Sequence, residues 1–223
     1  MRHFFKLTIL FIFVFATRGS AQKLSYGLEL DPSYHLRKDG EFNFAGGGFV
    51  ALEVSDRFVL STGVKIGWQH LSDKIDVNFD YYIDPVTGAG FSNSYFELAN
   101  NATYIGIPLQ ARYKLSDKDN HFYVNLNLTY WERASTNSFE SFVKGGITLN
   151  QRSVKTIYNI TGFSTALGFG YEFTLKGRFS IYLEPKFSLS HYLKDGDIEP
   201  YKGFVSYDSR QTELGLSVGM RFK

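Results

Sequence analysis

From residue 24 onward the chain repeats with a period of two. Leu24, Tyr26, Leu28 and Leu30 alternate with Ser25, Gly27, Glu29 and Asp31; Val50, Leu52 and Val54 alternate with Ala51 and Glu53. The same rhythm returns from Phe58 to Trp68, Ile105 to Leu115, Phe122 to Tyr130, Phe163 to Phe173, Phe179 to Leu189 and Thr212 to Phe222. Strict alternation is the signature of a strand with two different faces, whereas an amphipathic helix would repeat every 3.6 residues. Each segment is about ten residues long, which is what a tilted strand needs to cross a bilayer. The pattern predicts an all-β chain with eight antiparallel strands.

The connections alternate in length. Ser55 to Arg57, Ser116 to His121 and Thr174 to Arg178 are short and polar, while 70–103, 132–161 and 191–210 are long; the connection near 36–42 is the one short member of the second set. Short turns at one end and long loops at the other describe an up-and-down transmembrane β-barrel with short periplasmic turns and long external loops. The alternation runs on through Ile75, Val77, Phe79, Tyr81 and Ile83, which predicts that the third strand projects as a hairpin arm.

A soluble eight-stranded barrel would alternate too, with its apolar side inward. Here the second face is Gly, Ser, Asn and Ala with sparse charges. That suits a narrow lumen better than a water-washed exterior, and the bulky, nearly uncharged face suits lipid. Tyr34, Trp68, Tyr104, Tyr113, Tyr130, Tyr171 and Tyr192 stand near segment ends, where interfacial aromatic girdles form. Pro108 and Pro185 fall inside strands, where each removes a ladder hydrogen bond, so each is expected to mark a bulge.

The first 21 residues read as an address. A basic start (Arg2, Lys6), the apolar run Leu7 to Ala16 and small residues ending at Ala21 describe a secretory signal peptide, too short in its apolar part to span a bilayer. The expected organisation is therefore a signal at 1–21 and one barrel domain at 22–223. This changes the meaning of the charge. The whole chain has 24 Lys and Arg against 22 Asp and Glu, and without Arg2, Lys6 and Arg18 the 22 acids face 21 bases. A nucleic-acid partner has no support from such a balance. The chain has 0 Cys, which excludes disulfides, a thiol nucleophile and a lipid-modified N-terminal cysteine.

The chain resembles the small outer-membrane β-barrel family of Bacteroidetes, of the PorT-like type. The resemblance rests on the Ala21-Gln22 junction, YIGIPLQARYK at 104–114 and the ending LSVGMRFK at 216–223. It implies location in the outer membrane of a Gram-negative bacterium, contact with outer-membrane lipid, and insertion by the barrel-assembly machinery through the last strand. In such barrels an aromatic closes the final strand; here Phe222 is penultimate.

With the apolar face outward, the inward charges are Glu29, Asp31, Glu53, Lys65, Arg112, Lys114, Glu172, Glu184, Lys186, Glu213 and Arg221. Counted from the short-turn end, Glu53, Arg112, Lys114, Glu172 and Arg221 form a lower level and the rest an upper one. Both levels mix signs, so cross-lumen ion pairs closing the barrel are expected, in preference to an ion path or an acid–base carboxylate pair. A lipid-modifying enzyme would need a nucleophile, a base and an orienting group within reach. Of the histidines beyond the signal, His121 falls in a turn, His35 points inward, and His70 and His191 take the apolar parity, so they share no face. Gly46 to Gly48 and Gly145-Gly146 lack the following helix that a phosphate loop requires. No catalytic, cofactor-binding or metal-binding residues are assigned, and no cofactor is expected. The expected function is structural or binding, through the external loops toward an unidentified ligand or protein, as a monomer. The alternatives are porin-like passage of a small solute or ion and, behind that, the enzyme.

Overall fold

A computed structural model describes residues 23–36, 42–76, 94–144, 147–154, 156–157, 161–175, 179–192, 197–198 and 210–222. The strands are β1 (Lys23–His35), β2 (Phe42–Glu53), β3 (Phe58–Asp76), β4 (Ser94–Lys114), β5 (His121–Lys144), β6 (Ile147–Val154), β7 (Thr156–Ile157), β8 (Thr161–Leu175), β9 (Phe179–Tyr192), β10 (Asp197–Ile198) and β11 (Arg210–Phe222). Eight of them form the wall. The ladder runs β4-β3-β2-β1-β11-β9-β8-β5, and a further β4–β5 pairing closes it. Every wall pair is antiparallel, including first against last, where Tyr26 faces Phe222. The expected eight-stranded barrel is therefore the observed one, and closure removes both sheet edges from the wall.

The parity read from the sequence holds around the ring. Leu24, Tyr26, Leu28 and Leu30 are each more than half exposed, while Ser25, Glu29 and Asp31 between them are buried. Equivalent exposed rows are Val64, Ile66 and Trp68 on β3, Phe122, Leu126 and Leu128 on β5, and Leu214, Leu216 and Val218 on β11. The apolar belt thus faces outward. On β1 it runs from Leu24 to Tyr34, about 33 Å along a strand at 3.3 Å per residue, or about 25 Å in height at a tilt near 40°. That is the height of a lipid-facing band.

Aromatic rings gather at the lower end of the belt. Phe222 stacks on Tyr26 and packs at a tilt against Phe179, and Phe122 packs against Phe169 and Tyr171, with centroid separations of 4.6–5.5 Å. Tyr34, Trp68 and Tyr113 are exposed as a girdle requires. Tyr104 is a correction: it is only 6% exposed, on the inward parity of β4. Its nearness to a segment end in sequence did not make it interfacial, because β4 starts at Ser94, eleven residues before the alternating segment that begins at Ile105. The Tyr192 side chain lies outside the described residues.

The long connections need correcting as well. Much of 70–103 is ladder, since β3 and β4 remain paired up to Asp76 opposite Tyr95. Much of 132–161 is ladder too: β5 pairs with β4 as far as Lys144 opposite Ser94, and over Ser138 to Lys144 it also pairs with β6. β3 to β6 form an arm that continues the wall, as the alternation past residue 70 foreshadowed; the part of that reading at 77–83 lies outside the described residues. So do the signal reading at 1–21, Gly145 and Gly146. The proline expectation also fails. The register is unbroken through Pro108 and Pro185, and pairing merely lapses on one side, opposite Gly63–Val64 and Phe169–Gly170 respectively. Thr62 Oγ1 donates to the Pro108 carbonyl at 2.8 Å and bridges the first gap. A register shift occurs instead between Thr103 and Tyr104, where the wall gives way to the arm.

Candidate functional site in the barrel lumen

An eight-stranded barrel has an interior just wide enough for side chains, so whatever chemistry the wall encloses is set by which inward residues are large. Four of the inward aromatics each lie over a glycine directly opposite on the neighbouring strand: Phe49 over Gly27, Tyr123 over Gly170, Tyr182 over Gly219 and Trp131 over Gly106. A Cβ on Gly219 would come within 2.2 Å of the Tyr182 ring, and one on Gly106 within 2.3 Å of Trp131. The glycines are seats for rings, a device that restores packing where a strand lacks a side chain. The inward aromatics carry no mark in their own strand; the signal is a glycine at the paired position, which needs the register.

At the lower tier Glu172, fully buried, accepts from Arg221 and, at 3.1 Å, from Arg112 Nη1. The Arg112 guanidinium lies between two rings, 4.0 Å from the Tyr123 centroid and 4.4 Å from that of Tyr182. Lys114 reaches Glu53 at 3.3 Å, and Arg221 approaches the same carboxylate at 3.9 Å. This is the lower level read from the sequence, with one addition. Glu184, placed higher by counting, approaches Arg112 at 3.9 Å and accepts from Asn125 Nδ2 at 2.9 Å. His121 Nδ1 donates to the carbonyls of Lys118 and Asp119, so it caps the turn while Nε2 stands 3.9 Å from Glu172.

In the middle tier Lys65 bonds both Glu29 and Asp31, Lys186 reaches Asp31 at 2.6 Å, and Ser217 donates to the same carboxylate. Gln110 Nε2 donates to Glu29 at 3.3 Å. Tyr182 joins the tiers, with its ring on Arg112 below and its hydroxyl donating to Glu29 above. In a lumen this narrow the two tiers span the cross-section, and unlike charges interleave so that no buried ion is left alone.

Above them the lumen opens into a cavity of about 100 Å³, lined by Asp31, Lys65 and Lys186 below and by Tyr104, Trp131, Asn127, Thr129 and several serines on its walls. Trp131 Nε1 donates to Ser164 Oγ at 2.8 Å. His35 is fully buried beside it, its Nε2 meeting the amide nitrogens of Asn43 at 2.6 Å and Gln69 at 3.0 Å, its Nδ1 3.8 Å from Glu213. Ser33 and Ser190 donate to Glu213 at 2.7 and 3.4 Å. An activated serine would donate to the base; these two donate to the carboxylate.

The other upper histidines lie elsewhere. His70 bonds Asn101 at 2.6 Å and stacks on the outward Trp68, and His191 is exposed on β9. The structure does not bring the three together. Among the described residues no group of three or more His, Asp or Glu is placed to hold a metal ion. At the short-turn end Arg57 donates through Nε and Nη2 to both oxygens of Asp117, at 2.7 and 2.9 Å, and this bond holds the Asp117 carboxyl below its usual pKa.

No family model matches this chain, and no curated protein matches it either. Among solved structures it is similar to Neisserial surface protein A, at 12% identity over 92% of this chain and 99% of that one, with a TM-score of 0.45. It is also similar to a major outer membrane protein from Thermus thermophilus, at 13% identity over 90% of this chain and 100% of that one, with a TM-score of 0.46. A third is the attachment invasion locus protein of Yersinia pestis in complex with a heparin analogue, at 13% identity, 90% and 97% coverage and a TM-score of 0.32. Likenesses of this size leave the argument to the geometry of the chain itself.

Proposed function

We propose that this chain is an integral protein of a Gram-negative outer membrane, exported by a cleaved signal, whose barrel is an anchor closed by its own lumen and whose arm and loops bind a ligand or partner outside the cell. The observation that carries this reading is the inversion of burial: the wall exposes a belt of Leu, Val, Ile and Phe on every side and encloses Lys, Arg, Glu and Asp. In water that arrangement would expose far more contiguous apolar surface than a soluble monomer tolerates; in lipid it is the stable one. The PorT-like kinship, insertion through the last strand and a monomeric state belong to the same reading.

The test has two arms. Fractionation should find the chain in outer membranes, with a gel mobility that changes on boiling; recovery as a soluble periplasmic protein would overturn the membrane assignment. In planar bilayers the refolded protein should hold the baseline, because both tiers block the lumen. A steady open conductance would replace the anchor with the channel reading.

A further inference from the structure

The upper cavity is more than the space left above the plug. Its lining includes Asn43 on β2, Gly162 on β8 and His191 on β9, each one residue from the upper end of its strand, so it reaches the external rim. Its floor is already neutralised, since Lys65 and Lys186 share Asp31 while Lys65 also pairs with Glu29 beneath the cavity. Glu213 on its wall accepts from Ser33 and Ser190. An entering anion would meet these two carboxylates, and an entering cation would meet the two ammonium groups. In the lining as a whole the two carboxylates balance the two ammonium groups, so the cavity favours a neutral guest.

The walls specify the rest. Trp131 is seated over Gly106 with its ring edge against Gly67, and its indole N–H is engaged by Ser164. Its outer face is therefore held in place toward the lumen as a flat platform. Around it stand hydroxyls and amides, Thr129, Ser188 and Asn127 among them. Asn43 Oδ1 is buried without a hydrogen-bond partner among the described residues. A fixed indole face surrounded by neutral donors and acceptors matches a molecule with C–H faces and many hydroxyls.

We propose that the upper lumen is a binding site, open to the outside, for a small neutral polyol or monosaccharide stacked on Trp131. A cavity of about 100 Å³ is comparable with, though smaller than, the roughly 150 Å³ space that takes a benzene ring. The cavity therefore seats only one end of such a guest, a few carbons with their hydroxyls.

The chain has 2 Trp, so Trp68→Phe, a change on the outer face, leaves Trp131 as the sole indole. Full-length protein bearing that change, refolded in detergent micelles, is titrated with erythritol and D-arabinose while Trp131 emission is followed. The expected result is a saturable change with a millimolar midpoint, the range for so few ligand atoms. A second variant adds Ser188→Leu, which fills the cavity, and its folding is checked by heat-modifiable mobility. It should shift the midpoint at least tenfold. Arabinose 5-phosphate should bind at least tenfold more weakly than arabinose. A response that never saturates, one unchanged by Ser188→Leu, or tighter binding of the phosphate would each overturn the proposal. Because binding is read in micelles, its failure would leave the membrane assignment standing, and the reverse also holds.

Discussion

At the scale of single residues the lumen is organised by rings and carboxylates that serve two partners each. Glu172 is the clearest case, because two arginines, Arg112 and Arg221, converge on one buried carboxylate. Glu172→Gln keeps the shape and removes the charge, leaving two buried cations short of a counter-ion. Such broken buried pairs typically cost about 3–5 kcal/mol, and urea unfolding in micelles should show a loss of that order. Tyr182 separates two effects. Tyr182→Phe removes the hydroxyl bonded to Glu29 but keeps the ring over Arg112 and Gly219, so it should cost about 1–3 kcal/mol. Tyr182→Ala should cost distinctly more by the same measurement. That Glu172 and Arg112 face inward was legible from alternation alone. That Glu184 drops to the lower tier, or that Tyr182 links two tiers, was not, because parity gives the direction of a side chain but not its reach across the lumen.

At the scale of strands the legible part was period and the hidden part was register. Gly170 and Gly219 looked like generic small residues of a narrow lumen, yet each is the seat of a tyrosine on the next strand. Gly219→Ala should therefore destabilise by about 1–3 kcal/mol through overpacking. Combined with Tyr182→Ala it should cost less than the two changes separately, since the collision disappears with the ring. A double-mutant cycle on urea midpoints checks this; strict additivity would mean that the glycine serves the backbone instead. The turns are a contrast. Arg57 and Asp117 make a bidentate pair between neighbouring turns, but both are exposed. The Asp117 carboxyl titrates below its usual range, so whatever the pair contributes is present at neutral pH and fades as the solution is acidified past that carboxyl's ordinary range. Solvent screens such a pair, and Asp117→Asn should leave the melting temperature at pH 7 within the scatter of replicates. The arm shows the limit of reading by period. Alternation past residue 70 hinted at continued strand, but pairing of 94–103 with both neighbours depends on partners far away in sequence.

At the scale of the whole molecule the question is which solvent the outer face meets, and one substitution puts it to both candidates. Leu126 sits mid-height on β5, 53% exposed, opposite Leu167 on β8 and Ala111 on β4. If that face meets lipid, Leu126→Arg places a cation near the bilayer midplane, at a cost of about 2–4 kcal/mol. Folding into vesicles should weaken by that amount, while Leu24→Arg at the lower rim should cost much less. If the face met water, the same change would be nearly neutral and would improve solubility, because it interrupts an apolar patch. A lumen substitution cannot make this distinction, since the interior is packed and polar in either solvent. The depth dependence also separates lipid from a protein partner covering the belt: a bilayer penalises by height alone, equally around the ring. Leu28→Arg on β1, also at mid-height and 56% exposed, should therefore lose as much as Leu126→Arg on the opposite side of the barrel.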